Sequence, residues 1–119
     1  MTGENCICGV FVLIVRIKEV LEILKKEFSK SPKTIKEVII FGSVARGDYR
    51  PDSDVDVAVI YVGNLEKTKS FAEKVADRIY LDFSIPVTII YISENDFEAE
   101  KTQFIRTIKK EGVTIWKRD

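Results

Sequence analysis

The chain has 119 residues, of which 45% are hydrophobic and 32% are charged, a balance that is typical of a globular domain and not of a disordered chain. Its 19 basic and 19 acidic residues cancel, which argues against a protein that coats nucleic acid through a basic surface. The chain has no histidine, so histidine general bases, Ser-His and Cys-His nucleophiles and most zinc sites are excluded.

The N-terminal segment is apolar from Ile7 to Val15 except at two positions. This run is too short to span a bilayer, and the residues before it carry Glu4 and no basic residue, unlike a signal peptide. The pair Cys6 and Cys8 cannot form a zinc site alone, so we interpret both as reduced thiols of a cytoplasmic protein. The segment is either the start of the first helix or a lead-in strand, and an oligomer contact is a further option.

Hydrophobic periodicity predicts the element order α-β-β-α-β-α-β. The expected elements are a helix over 13–28, a strand over 37–41, a short helical turn over 43–47, a strand over 55–62, a helix over 65–81, a strand over 87–92, a helix between its capping residue Ser93 and Gly112, and a strand over 113–116. In the last helix, the predicted buried stripe consists of Phe97, Phe104, Ile105 and Ile108.

The predicted elements indicate a single domain over residues 1–119, with residues 1–12 as a candidate N-terminal extension. About a dozen residues join the first two strands, too few for a crossover helix, so we expect those strands to pair antiparallel. The expected fold class is α+β in two layers, with a mixed sheet of about four strands. Helices should lie mainly on one face of the sheet and leave the other partly open for a ligand.

A Gly-Ser turn and an Asp-x-Asp pair connect the first two strands. Gly42 allows a sharp turn and a close approach by a ligand, and Ser43 offers a hydroxyl where peptide N–H groups can converge on a phosphate. Asp54 and Asp56 point to one face of a strand, and Mg²⁺ or Mn²⁺ prefers such carboxylate oxygens. Each piece alone is an ordinary turn, but two aspartates entering an apolar strand are unusual, and the combination predicts a metal and nucleotide site.

These residues resemble the signature of the minimal nucleotidyltransferases, within the polymerase-beta-like nucleotidyltransferase superfamily. The resemblance is carried by Gly42-Ser43, by Ala45-Arg46-Gly47 and by the run from Asp52 to Asp56, and it extends from the first helix to the final strand. It implies a nucleotidyltransferase fold and Mg²⁺-dependent transfer of a nucleoside monophosphate to a hydroxyl.

In site terms, the resemblance implies that Asp54 and Asp56 are the catalytic and metal-binding residues, and that Gly42 and Ser43 bind the nucleotide, for which ATP is the expected donor. Arg46 is interpreted either as a phosphate ligand or support of that turn, or as a surface ion-pairing residue. Many family members act as antitoxins of a small helical partner, and some attach AMP to a tyrosine of it. We therefore expect a HEPN-like helical partner protein.

The chain departs from the family pattern at Thr88, where a later strand of relatives carries a third carboxylate. Threonine cannot remove a proton at neutral pH, and it leaves the site one negative charge short, although it is also simply a good strand residue. Two functions therefore stay open: a weak adenylyltransferase helped by water or a partner group, and a nucleotide-binding antitoxin or interaction module that does not transfer. Asp82, just before that strand, is a less favoured substitute for the missing acid.

Overall fold

A four-stranded mixed sheet organises the chain in the computed structural model, which describes the backbone of residues 2–48, 50 and 53–119 and, within these, the side chains from residue 14 onward. In chain order the elements are α1 (Thr2–Phe28), β1 (Ile35–Phe41), α2 (Gly42–Arg46), β2 (Val55–Tyr61), α3 (Leu65–Phe83), β3 (Val87–Ser93), α4 (Glu94–Glu98), α5 (Gln103–Glu111) and β4 (Val113–Lys117). The strand order is β3-β2-β1-β4. The predicted α+β class and mixed sheet are confirmed.

The first two strands pair antiparallel, as their short connection predicts, with Phe41 opposite Asp56 and Ile39 opposite Ala58. Strand β4 joins the other side of β1, also antiparallel. Strand β3 instead runs parallel to β2, because α3 carries the chain back along the sheet between them, as parallel pairing requires.

One face of the sheet, which we call the α1/α3 face, bears Val55, Val57 and Val59 of β2. These side chains are fully buried against the two long helices. The helices contribute apolar residues at helical spacing, namely Ile17, Val20, Leu24 and Phe28 from α1 and Ala72, Val75 and Ile79 from α3. This face therefore holds the larger part of the core.

The opposite face, which we call the α4/α5 face, bears Ala58 and Ile60 of β2. Ile105 and Ile108 of α5 pack on it with Ile39 of β1, and the cluster is smaller than the one across the sheet. The two helices here are short, so they cover only part of the face. The two long helices share the α1/α3 face, in keeping with the expected arrangement.

The structure corrects two helix predictions. The first helix begins at Thr2 and not near residue 13, so the lead-in strand is wrong for this segment. The single helix expected after Ser93 is two helices, because Glu100 has a positive φ of 49° and Thr102 caps a new helix by accepting a hydrogen bond from Ile105 N at 3.1 Å. Phe104, expected in the buried stripe, is 51% exposed as a result.

Some sequence predictions lie outside the described residues. These are the side chains of Cys6 and Cys8, and also Asp52, which begins the run that resembles the family signature. Among the residues that the structure describes, no helix combines the length and the apolar character needed to cross a membrane.

Candidate active site

Asp54 and Asp56 lie at the start of β2, where the strand leaves the loop that follows α2. Their side chains point toward the α4/α5 face, because side chains alternate along a strand and the intervening Val55 is fully buried on the other face. Asp54 is exposed and Asp56 is half-buried. The alternation expected from the sequence therefore brings the two carboxylates together at the edge of the partly covered face.

Gly42, the first residue of α2, lies directly against Asp56. Its φ is +75°, a region that glycine occupies without the steric cost of a side chain. A Cβ atom built on Gly42 would fall 2.2 Å from Asp56 Oδ2. The carboxylate thus occupies the space that any other residue would need, which brings the Gly42-Ser43 backbone and the Asp56 side chain into one site.

Gly47, which ends α2, shows that this contact is specific to one glycine. Its φ is +76°, almost the same as that of Gly42, yet a Cβ atom there would meet none of the described residues within 4 Å. Within the described part of the chain, backbone conformation alone accounts for Gly47, whereas Gly42 is required both by its conformation and by the carboxylate next to it.

Thr88 lies where the sequence places it, beside the aspartate pair. It is the register partner of Asp56 in the parallel β2–β3 ladder, and its hydroxyl donates a hydrogen bond to Asp54 Oδ2 at 3.1 Å. Within the described part of the chain, no group of three His, Cys, Asp or Glu side chains is placed to share a metal ion. Asp82 lies in α3 and is not part of such a group.

It is electrostatically unfavourable to hold two ionised carboxylates close together at this site. Burial, followed by the negative charge of Asp54, raises the pKa of Asp56, while the positive charge of Arg46 lowers it by a smaller amount. A carboxyl that is half-buried beside a like charge is stabilised by a bound cation. Hard oxygen ligands of this kind fit Mg²⁺ or Mn²⁺, and Arg46 on α2 is near enough to act electrostatically on Asp56.

Sequence analysis missed the aromatic residues beside this site. Phe41 is directly opposite Asp56 in the β1–β2 ladder, and its ring packs edge to face against that of Phe104, with centroids 5.7 Å apart and planes at 86°. This pair was not predicted, because Phe104 was expected to lie in the buried stripe of the last helix. The signal available in the sequence was Thr102, a residue type that caps helices, one residue before Gln103.

A polar cleft of about 280 Å³ lies at the other end of the α4/α5 face, between Lys36, Glu94 and Arg118. Arg118 binds the backbone carbonyls of Ser31, Pro32 and Ile35 there. Its guanidinium therefore ties the chain after β4 to the loop before β1. Because both cations and carboxylates line this cleft, it has no strong preference for an anion, and the aspartate pair is the better candidate for chemistry.

Comparison with known proteins identifies the family of this chain. A family model described as a nucleotidyltransferase domain matches residues 17–115. A proposed protein adenylyltransferase of Methanocaldococcus jannaschii is 38% identical over 104 residues, which cover 82% of this chain and 99% of that protein.

Two solved structures share the fold. A proposed nucleotidyltransferase from Sulfolobus solfataricus superposes with a TM-score of 0.59 at 24% identity, over 89% of this chain and 87% of that one. A toxin-antitoxin structure with AMP-PNP superposes with a TM-score of 0.61 at 16% identity, over 83% of this chain and 74% of that one. With the family model covering most of its length, this chain belongs to the nucleotidyltransferase family that its Gly-Ser and Asp-x-Asp residues resemble.

Proposed function

We propose that this protein binds a magnesium nucleoside triphosphate, with ATP as the donor, and transfers AMP to a hydroxyl of a partner protein in the cytoplasm. The observation that carries the proposal is the contact between Gly42 and Asp56, in which a Cβ atom would fall 2.2 Å from the carboxylate oxygen. This contact joins the turn that suits a phosphate to the carboxylates that suit a metal. The adenylyltransferase name of the M. jannaschii relative supports the choice of AMP and of a protein acceptor.

Each residue has a role that its position allows. Asp54 and Asp56 hold Mg²⁺, which when bound offsets the negative charge of the triphosphate. Ser43, next to Gly42, donates its hydroxyl to a phosphate oxygen, and Arg46 adds a positive charge on the same side. These groups orient the triphosphate so that its α-phosphorus is presented to an acceptor on the partly open side of the sheet.

In the transfer itself, the acceptor hydroxyl oxygen bonds to the α-phosphorus and the bond to pyrophosphate breaks. The hydroxyl proton leaves to water or to a group of the partner protein, because the Thr88 hydroxyl donates a hydrogen bond to Asp54 and is not a base at neutral pH. The partner that we propose is a small helical protein of the HEPN type, neutralised as the toxin of a toxin-antitoxin pair. The toxin-antitoxin structure with AMP-PNP supports both the nucleotide and this setting.

A second function is favoured by Thr88 alone. In that alternative the chain binds nucleotide at the same residues and neutralises its partner by contact, with no transfer. The absence of a third carboxylate from the described site supports it, because general-base assistance is typically worth about a hundredfold or more in rate.

The binding part of the proposal is tested by calorimetry of ATP with and without Mg²⁺. The wild type should bind Mg-ATP, and the double substitution Asp54→Asn with Asp56→Asn should abolish the dependence on Mg²⁺. The matched control is Glu73→Gln with Asp77→Asn, which removes the same charge from exposed positions of α3 and should leave binding unchanged. Equal ATP binding by all three proteins, with and without metal, contradicts the proposed site.

The choice between transfer and binding is tested with α-labelled ATP and the partner protein. Thr88→Asp places a carboxylate beside Asp54 and Asp56 and should raise the rate of label transfer by about a hundredfold. Thr88→Asn, of the same shape without the acid, is the control. A silent wild type with an active Thr88→Asp variant supports the binding module, and a wild type as fast as that variant supports the enzyme.

A further inference from the structure

The aromatic pair Phe41 and Phe104 lies in the same row of the sheet as the carboxylates. Phe41 is the cross-strand partner of Asp56, and directly opposite residues of an antiparallel pair have Cα atoms about 4.5–5.5 Å apart, with side chains on the same face. Continuing along this row, Thr88 follows Asp56 on β3. A ligand held by the carboxylates therefore has a hydroxyl on one side and an aromatic ring on the other.

The Phe104 ring extends this row outward. It packs edge to face on Phe41, with centroids 5.7 Å apart, and 51% of the residue is exposed. A single exposed apolar residue is common on protein surfaces. Phe104 differs from the others because its ring contacts the direct neighbour of Asp56, while Leu81, another exposed apolar residue, lies on α3 and thus on the opposite face.

Hydrogen bonds at the start of α5 support the backbone that presents Phe104. Thr102 caps α5 through Ile105 N, and Arg106 donates to the backbone carbonyl of Glu100 at 3.0 Å and to Gln103 Oε1 at 2.8 Å. These bonds hold the turn between α4 and α5 against the start of α5. A ring held in this way loses little conformational freedom when a flat ligand stacks on it.

We infer that Phe104, supported by Phe41, is the platform on which the base of the bound nucleoside triphosphate stacks. The inference rests on the proposed function, because the carboxylates must hold the triphosphate for its base to reach the ring. Every base has a π-face, and stacking on an aromatic side chain is tolerant of base identity. The platform should therefore accept purines and pyrimidines and discriminate weakly between adenine and guanine.

The test separates the base from the phosphates by using two ligands, ATP and inorganic tripolyphosphate, each with Mg²⁺. Calorimetry is run on the wild type, on Phe104→Ser, on Phe104→Tyr, which keeps the ring, and on Leu81→Ser, a matched loss of exposed apolar surface. Phe104→Ser should weaken ATP binding by about tenfold, the order of effect of losing one aromatic–base stack, and leave tripolyphosphate binding unchanged. Phe104→Tyr and Leu81→Ser should bind both ligands as the wild type does.

Failure of the platform and failure of the proposed function give different results. If the wild type binds ATP no better than tripolyphosphate, or if Phe104→Ser binds both ligands normally or weakens both equally, the platform is wrong while the metal site stands. Loss of ATP affinity in Phe104→Tyr as large as in Phe104→Ser also overturns it. If the wild type binds neither ligand in the presence of Mg²⁺, the proposed function fails and the base platform fails with it.

Discussion

Strand β2 contributes to both faces of the sheet, and at its start the side chains on the two faces differ in charge and in burial. Toward the α1/α3 face it presents Val55, Val57 and Val59, all with no exposed surface. Toward the α4/α5 face point Asp54, directly before the strand, and Asp56, followed by Ala58 and Ile60 under short helices. Stability is concentrated on one face, which allows the other face to carry two like charges close together.

The largest expected effect is a loss of stability when an aromatic ring on the α1/α3 face is truncated. Phe28 is fully buried and packs edge to face on Phe71, so Phe28→Ala should cost about 3–5 kcal/mol of unfolding free energy. Phe104→Ala on the other face should cost about 1 kcal/mol, the worth of its aromatic contact. Urea unfolding of both variants measures the difference, and equal losses would show that the faces share the core evenly.

The second prediction concerns the two glycines of α2. Both have φ near +75°, so Gly42→Ala and Gly47→Ala should each lose about 1–2 kcal/mol from the unfavourable backbone conformation. Gly42→Ala should lose about 1–3 kcal/mol more, because its Cβ atom overlaps Asp56 Oδ2 and forces the carboxylate to move. Only Gly42→Ala should also weaken Mg-ATP binding. Equal unfolding midpoints for the two variants would mean that the carboxylate moves away freely.

Side-chain positions that follow from a short repeat within one strand could be predicted from the sequence. The period of two along β2 predicted that Asp54 and Asp56 share a face, and the resemblance to the family implied that Thr88 lies beside them; the hydrogen bond from Thr88 to Asp54 confirms that placement. The contact of Gly42 with Asp56 could not be predicted, because it depends on how the 13 residues between β1 and β2 fold back.

Helix boundaries were the weaker part of the prediction, for two physical reasons. Residues 7–15 are apolar in nearly every position, so they show no amphipathic stripe from which the start of α1 could be found. Between α4 and α5, the apolar spacing of Phe97 and Phe104 spans two helical turns and conceals the break. The break follows from Glu100 in a left-handed conformation, which the sequence does not mark with a glycine.

A third, smaller effect should appear on the α1/α3 face, at Tyr91 of β3. Its hydroxyl is buried and has no hydrogen-bond partner among the described residues, and burial, followed by the charge of Glu73, raises the pKa of Tyr91 to about 12. Tyr91→Phe should therefore stabilise the protein by about 1 kcal/mol, since an unsatisfied polar group is removed. Tyr80→Phe, at a 55% exposed position of α3, should change nothing. A loss of stability in Tyr91→Phe would show that the hydroxyl has a partner such as water.

The smallest expected effect is a gain in stability on replacing Asp56, whereas most substitutions reduce stability. Burial and the charge of Asp54 raise the pKa of Asp56 above its usual 3.8, so the folded protein holds the Asp56 proton more tightly than the unfolded chain. The resulting contribution to stability is present below the unfolded-state pKa and is lost as the pH rises through the folded-state pKa. At neutral pH the ionised carboxylate therefore destabilises the metal-free fold, and Asp56→Asn should raise the melting temperature in EDTA.

The gain from Asp56→Asn should shrink as the pH is lowered, because protonation of Asp56 in the wild type removes the same charge. Adding Mg²⁺ and ATP should reverse the order, stabilising the wild type and leaving Asp56→Asn unchanged, as binding to the folded state alone requires. Asp77→Asn, at an exposed position of α3, is the control and should melt like the wild type under all conditions. If Asp56→Asn melts below the wild type in EDTA at neutral pH, Asp56 stabilises the fold, and the division of roles between the two faces of β2 does not hold at this position.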